Sequence, residues 1–159
     1  MLDDVLRAQD RISSDVRDLD YFAEEFCKMI ATPNENDQMF NEVIVFNRTN
    51  GALFDIAIAA HHRKFLLKYS HVLLSREGQP ELFGNYKLLE LSGSEKDGDT
   101  AGDVLLSFNI DPEGGAIVEG RRLLCAPNPV HQRDHRRPIK SAILHAIRST
   151  MIDLSLIHI

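Results

Sequence analysis

The residue types able to do chemistry are few in this chain, and their spacing decides what each group can do. His131 and His135 stand four apart with Asp134 between them. On a helix that spacing would turn both imidazoles toward one metal ion, but Pro129 and Pro138 leave little room for a helix, and no Glu follows the first His as in the zinc protease motif. A loop is expected there and no metal or other cofactor, with His131 and His135 as the alternative. Asp55, His62 and Lys64 form a second group, to which a carboxylate of the first helix, Glu24, can be added. Activating a metal-bound water needs two or more oxygen ligands and Asp55 supplies one, so the plainer reading is an outward strand residue followed by a solvated turn over residues 61–64. The acids within residues 92–102 lack the EF-hand spacing, because the twelfth position from Glu95 is Leu106. Gly114 and Gly115 precede no phosphate-loop motif, GxSxG is absent, and neither Cys27 nor Cys125 has a context that would lower a thiol pKa. No catalytic residue is therefore assigned.

Charge offers a binding surface instead. Residues 1–118 carry 11 Lys+Arg against 21 Asp+Glu, whereas residues 119–159 carry 7 against 3, so the net charge of −6 conceals a basic end. Arg121, Arg122, Arg133, Arg136, Arg137 and Lys140 fall just before or inside a helix expected to open at Pro138. Such a cluster could hold phosphates by charge and by the N–H groups of the helix start. No aromatic residue is interleaved over residues 121–140, which removes base stacking of the single-strand type. The same arginines could instead neutralise the acidic helix and loops of their own domain or of a partner subunit.

The elements that position these residues follow from periodicity. Over residues 2–31, Leu2, Val5, Leu6, Ile12, Val16, Leu19, Phe22, Phe26, Met29 and Ile30 recur at three and four, which predicts one amphipathic helix, or a pair broken at Ser13-Ser14-Asp15. Val43, Val45 and Asn47 alternate with Ile44, Phe46 and Arg48, and Phe54, Ile56, Ile58 and Ala60 alternate with Asp55, Ala57 and Ala59. Asn50-Gly51 lies between the two runs and predicts a hairpin turn, since both residues tolerate positive φ. Residues 65–74 read as a third strand, 76–80 as a loop, 86–91 as a short strand and 92–102 as a surface loop. Residues 103–110 and 116–118 form a second hairpin about the turn at Asp111-Pro112. Ile139, Ala142, Ile143, Ala146, Ile147 and Met151 fall at helical spacing. The expected class is α+β: an N-terminal helix or helix pair, an antiparallel sheet of five to six strands built from two hairpins and a meander, and a C-terminal helix.

Two outlines resemble known families. The order of a helix with Glu24, then strands with Asp55 and the pair His62 and Lys64, resembles the restriction-endonuclease-like nucleases, in which an Asp and an acid-x-Lys pair surround a divalent cation. That resemblance implies a metal-dependent nuclease, although His62 stands where the family has an acid. The order helix, three strands, two strands and helix, with acidic charge and small size, is similar to secretion chaperones, and implies a domain that binds extended partner chains.

Length and composition bound the rest. A chain of 159 residues that is 43% hydrophobic is one domain with enough apolar matter for a core. No window holds the roughly 18 apolar residues of a membrane helix, and the first ten residues lack a signal peptide's basic and apolar regions, so a cytoplasmic protein with reduced cysteines is expected. The last six residues, LSLIHI, resemble the in-frame translation of a transposon mosaic end used in preparing sequencing libraries. The native domain is therefore expected to end near Asp153 and to be the N-terminal part of a longer protein, residues 154–159 being foreign to it. The function expected is a non-enzymatic binding or accessory module that engages a macromolecule through its sheet or its basic segment. A protein partner is favoured over nucleic acid, no membrane is involved, and a homo-oligomer is compatible.

Overall fold

The computed structural model describes residues 2–32, 42–93, 100–112, 115–118, 121–124 and 136–152. Helix α1 (Leu2–Ala31) is a single continuous helix of 30 residues. Ser13 and Ser14 do not break it, because both lie on its solvent side while Ile12 and Val16 carry the apolar stripe across them; on an exposed helix face such residues cost only tenths of a kcal/mol, of order 0.5 each. The stripe repeats every seven residues, as Leu2, Gln9, Val16, Ala23 and Ile30 and as Val5, Ile12, Leu19 and Phe26. Its C-terminal half, Leu19, Ala23, Phe26 and Ile30, is fully buried.

Among the described residues seven strands follow: β1 (Ile44–Arg48), β2 (Ile56–Ala60), β3 (Arg63–Arg76), β4 (Gln79–Ser92), β5 (Thr100–Ile110), β6 (Ala116–Val118) and β7 (Arg121–Leu124). They pair in chain order as one antiparallel meander, and helix α2 (Arg136–Ser149) comes after them. The α+β class with its two terminal helices is as the sequence predicts. One strand lies beyond the expected five to six, because β7 pairs with β6 in a stretch rich in arginine and proline.

The turns depart from the sequence expectation in an instructive way. Asn50 and Gly51 do not form a two-residue hairpin turn, and neither takes a positive φ. Residues 49–55 make a longer connection instead, in which Asp55 donates its N–H to the Ala52 carbonyl and Thr49 Oγ1 bonds the same carbonyl at 3.0 Å. The tight turns lie elsewhere. His61 and His62, at φ 51° and 62°, join β2 to β3, and Glu77 and Gly78, at 53° and 77°, join β3 to β4. Positive φ at both central residues matches the right-handed twist of the flanking strands. The expected loop at 76–80 thus shrinks to two residues, Pro80 pairs with Ser75, and the expected short strand at 86–91 becomes the 14-residue β4.

Both helices cover one face of the sheet. Phe65 and Leu67 of β3, Tyr86 and Leu88 of β4, and Phe108 and Ile110 of β5 point to that face and meet Phe26 of α1 and Ile139, Ile143 and Ile147 of α2 in a single buried cluster. Each such side chain contributes on the order of 1.5–3 kcal/mol by leaving water. Phe26, Tyr69, Tyr86 and Phe108 pack ring to ring, with Phe26, Tyr69 and Phe108 each within 6 Å of Tyr86. Toward its start α1 runs off the sheet: Arg11 donates to the Pro80 carbonyl at 2.9 Å, two positions from the β3–β4 turn, and beyond it Leu2, Val5 and Leu6 are exposed.

Candidate protein-binding edge

The residues expected to bear chemistry are placed apart. Asp55 is buried just before β2, where its Oδ1 accepts the Tyr69 N–H at 2.8 Å and so extends the pairing of β3 past the end of β2. Lys64 pairs with Ala59, four strand residues or about 13 Å along β2 from Asp55 at about 3.3 Å per residue, His62 lies in the turn beyond Ala60, and both are exposed. Glu24 has both carboxylate oxygens on Arg48, at 2.7 and 2.6 Å, and that guanidinium lowers its carboxyl pKa. The structure does not bring Asp55, His62, Lys64 and Glu24 round one point. Among the described residues no group of three or more His, Cys, Asp or Glu is placed to hold a metal ion.

The described residues of the basic segment lie on two elements. Arg121 and Arg122 lie on β7, and Arg136 and Arg137 in the first turn of α2. Arg133, His131, His135 and Cys125 lie outside the described residues, as does the tail 154–159. Lys140 is only 3% exposed and turns inward: its ammonium donates to the Thr32 carbonyl at the end of α1 and lies 5.2 Å from the Phe46 ring centre. It ties α2 to the negative end of α1's dipole and to the edge strand.

What the structure does assemble is an edge. Among the described residues β1 pairs only with β2, and none of them pairs with its other side. Thr49 donates to the Asp55 carbonyl, which makes 49 and 55 a hydrogen-bonded pair. In an antiparallel ladder such pairs alternate, so Val45 and Asn47 exchange bonds with β2 while the N–H and C=O groups of Ile44, Phe46 and Arg48 point outward. The tight turn at His61 and His62 requires the same phase, since it makes Ala60 a bonded partner of Arg63 and turns it away from Ile44.

Beside this edge lies a notch of about 170 Å³ lined by Ile30, Ala31, Ile44, Val45, Phe46, Asn47 and Lys140. The end of α1 forms its wall because Arg48 is fastened to Glu24 below it and Lys140 to Thr32 above. Val45, on the opposite face, is 45% exposed. The sequence marks none of this: the stripe of β1 was legible, but an edge is a property of pairing order, and the notch joins residues over a hundred positions apart.

A buried polar cluster also went unread. Tyr86 Oη donates to the Phe54 carbonyl at 2.9 Å, and Cys27 Sγ bonds the same oxygen at 3.4 Å and lies 3.5 Å from Tyr86 Oη. Burial pushes both the thiol and the phenol pKa upward, which leaves them protonated and unsuited to nucleophilic work. No protein-family model, curated protein or solved structure matches the chain. No helix among the described residues is long and apolar enough to cross a membrane.

Proposed function

We propose that the chain is a non-enzymatic protein-binding module that takes up another polypeptide along β1. The observation that carries this reading is the outward set of backbone donors and acceptors at Ile44, Phe46 and Arg48 beside an apolar notch. Backbone groups on an open edge are a template for a further strand, and strand addition is a recurring mode of peptide recognition. Each new ladder bond adds about 0.5–1.5 kcal/mol, so a short segment binds weakly and reversibly. Lys140 turned inward supports protein over nucleic acid as the partner, since one of the six basic residues is spent on the fold.

The test is a titration of the isotope-labelled chain with the capped peptide acetyl-Ser-Thr-Leu-Thr-Leu-Thr-Ser-amide, followed by backbone amide resonances. Shifts centred on Ile44–Arg48 are expected. Shifts centred elsewhere, or none at millimolar peptide, would overturn the reading.

A further inference from the structure

The connection between β1 and β2 presents a reactive pair. Of the eight asparagines in the chain, only Asn50 is followed by glycine. In a two-residue hairpin turn, the ladder on either side would fix both residues of such a pair. Here they belong to the longer connection. Thr49 donates its N–H to the Asp55 carbonyl and its Oγ1 to the Ala52 carbonyl, and Asp55 donates its N–H to that same Ala52 oxygen. These bonds pin residues 49, 52 and 55, and none of them involves Asn50 or Gly51, both of which are exposed. Neither takes a positive φ, and a Cβ built on Gly51 would meet no heavy atom within 4 Å.

That arrangement sets a nucleophile beside an electrophile. The side-chain carbonyl carbon of an asparagine can close a five-membered ring with the backbone nitrogen of the next residue. Glycine offers that nitrogen with no Cβ to crowd it and with the widest choice of φ and ψ. At the other described asparagines both conditions fail. Asn47, Asn85 and Asn109 lie inside paired strands and are followed by Arg48, Tyr86 and Ile110. Asn85 is in addition only 6% exposed, and its Nδ2 donates to Asn109 Oδ1 at 2.9 Å.

We infer that Asn50 is a site of spontaneous covalent modification, the deamidation of asparagine through a cyclic imide formed with Gly51. Hydroxide takes the Gly51 N–H proton, the nitrogen bonds to Asn50 Cγ, and the bond from Cγ to the side-chain nitrogen breaks and releases ammonia. Water then opens the imide at either carbonyl, which gives aspartate or isoaspartate. The sum is asparagine and water going to a carboxylate and ammonium, with no oxidant, metal or enzyme. The product carries a new negative charge two residues from Arg48, and its isoaspartate form adds a methylene to the backbone between β1 and β2. This inference does not depend on strand uptake.

The test is incubation of the whole chain at pH 6, 7 and 8, followed by proteolysis and mass spectrometry of every asparagine-containing peptide. The gain in mass from amide to acid is expected first at Asn50 and faster as the pH rises, because the attacking nitrogen is deprotonated. Its rate should lie within about tenfold of that in the capped peptide acetyl-Arg-Thr-Asn-Gly-Ala-Leu-amide, a factor equal to about 1.4 kcal/mol of barrier. A rate in the chain slower than that, or faster conversion at any other asparagine, would overturn the inference. Gly51→Ala, for which the connection has room, is expected to slow the conversion by about tenfold, and Asn50→Gln, whose longer side chain disfavours the ring, to abolish it. Conversion at position 50 that is as fast in either variant would also overturn it.

Discussion

The guanidinium of Arg48 holds both carboxylate oxygens of Glu24, at 2.7 and 2.6 Å, and so fastens the last residue of the edge strand to α1. Both side chains are a third exposed, which limits the pair to about 0.2–1 kcal/mol. Glu24→Gln should lower stability by that amount in urea denaturation at pH 7. Arg48 depresses the carboxyl of Glu24, and Arg63 does the same for Glu90, from an ordinary value of 4.5. A depressed carboxyl contributes stability that is fully present above pH 4.5 and is lost as the pH falls through the folded-state value. Glu24→Gln with Glu90→Gln should therefore flatten the fall in stability below pH 4.5, measured as midpoints between pH 3 and 7; an unchanged acid slope would count against both pairs.

Tyr86 and Cys27 share the Phe54 carbonyl. Tyr86→Phe keeps the ring stack but leaves that carbonyl with the weaker thiol bond, and should cost about 1–3 kcal/mol in denaturant midpoints at constant slope. Cys27 has no exposed surface and a raised thiol pKa. A thiol reagent should modify it only as fast as the protein opens, so labelling that is instead quick and unaffected by stabilising conditions would contradict this placement.

A Cβ on Gly84 would lie 2.6 Å from the Tyr69 hydroxyl oxygen and 2.7 Å from a ring carbon. The ring of Tyr69 lies diagonally across the strand pair over Gly84, which lets a glycine sit inside a 14-residue strand. Gly84→Ala should cost about 1–3 kcal/mol by overpacking. Adding Tyr69→Phe should not restore stability, because the ring carbon remains, whereas adding Tyr69→Leu should restore part of it. Full rescue by Phe would show that the hydroxyl alone makes the contact.

The two-residue turns give a stabilising substitution. Glu77 holds φ 53°, which costs a non-glycine residue free energy that asparagine bears better, and Gly78 already follows it. Glu77→Asn should raise stability by about 0.5–1 kcal/mol, seen as a higher thermal midpoint. A lower midpoint would indicate that the Glu77 side chain is needed at the turn.

Much of the fold was legible because it is written in periodicity. The stripe of α1, the alternation of β1, β2 and β5, and the isoleucines of α2 each follow a local rule that burial then enforces. What local rules could not supply was competition between turns. Asn50-Gly51 is the better turn sequence, yet Asp55 captures Tyr69 N–H and holds residues 49–55 open, while two histidines turn the chain between β2 and β3. The site was less legible than the fold. Lys140 reads as one of six surface cations until Thr32 and Phe46 are seen around it, and Asp55 reads as outward until its bond to β3 appears.

The most direct measurement of the central claim is hydrogen exchange along β1, residue by residue, with and without the Leu-bearing peptide. In the free chain Val45 and Asn47 should be protected by β2 while Ile44, Phe46 and Arg48 exchange quickly, and peptide should slow those three and leave Val45 and Asn47 unchanged. Uniform protection of all five amides in the free chain, or no slowing of Ile44, Phe46 and Arg48 at saturating peptide, would contradict an open edge that takes up a strand.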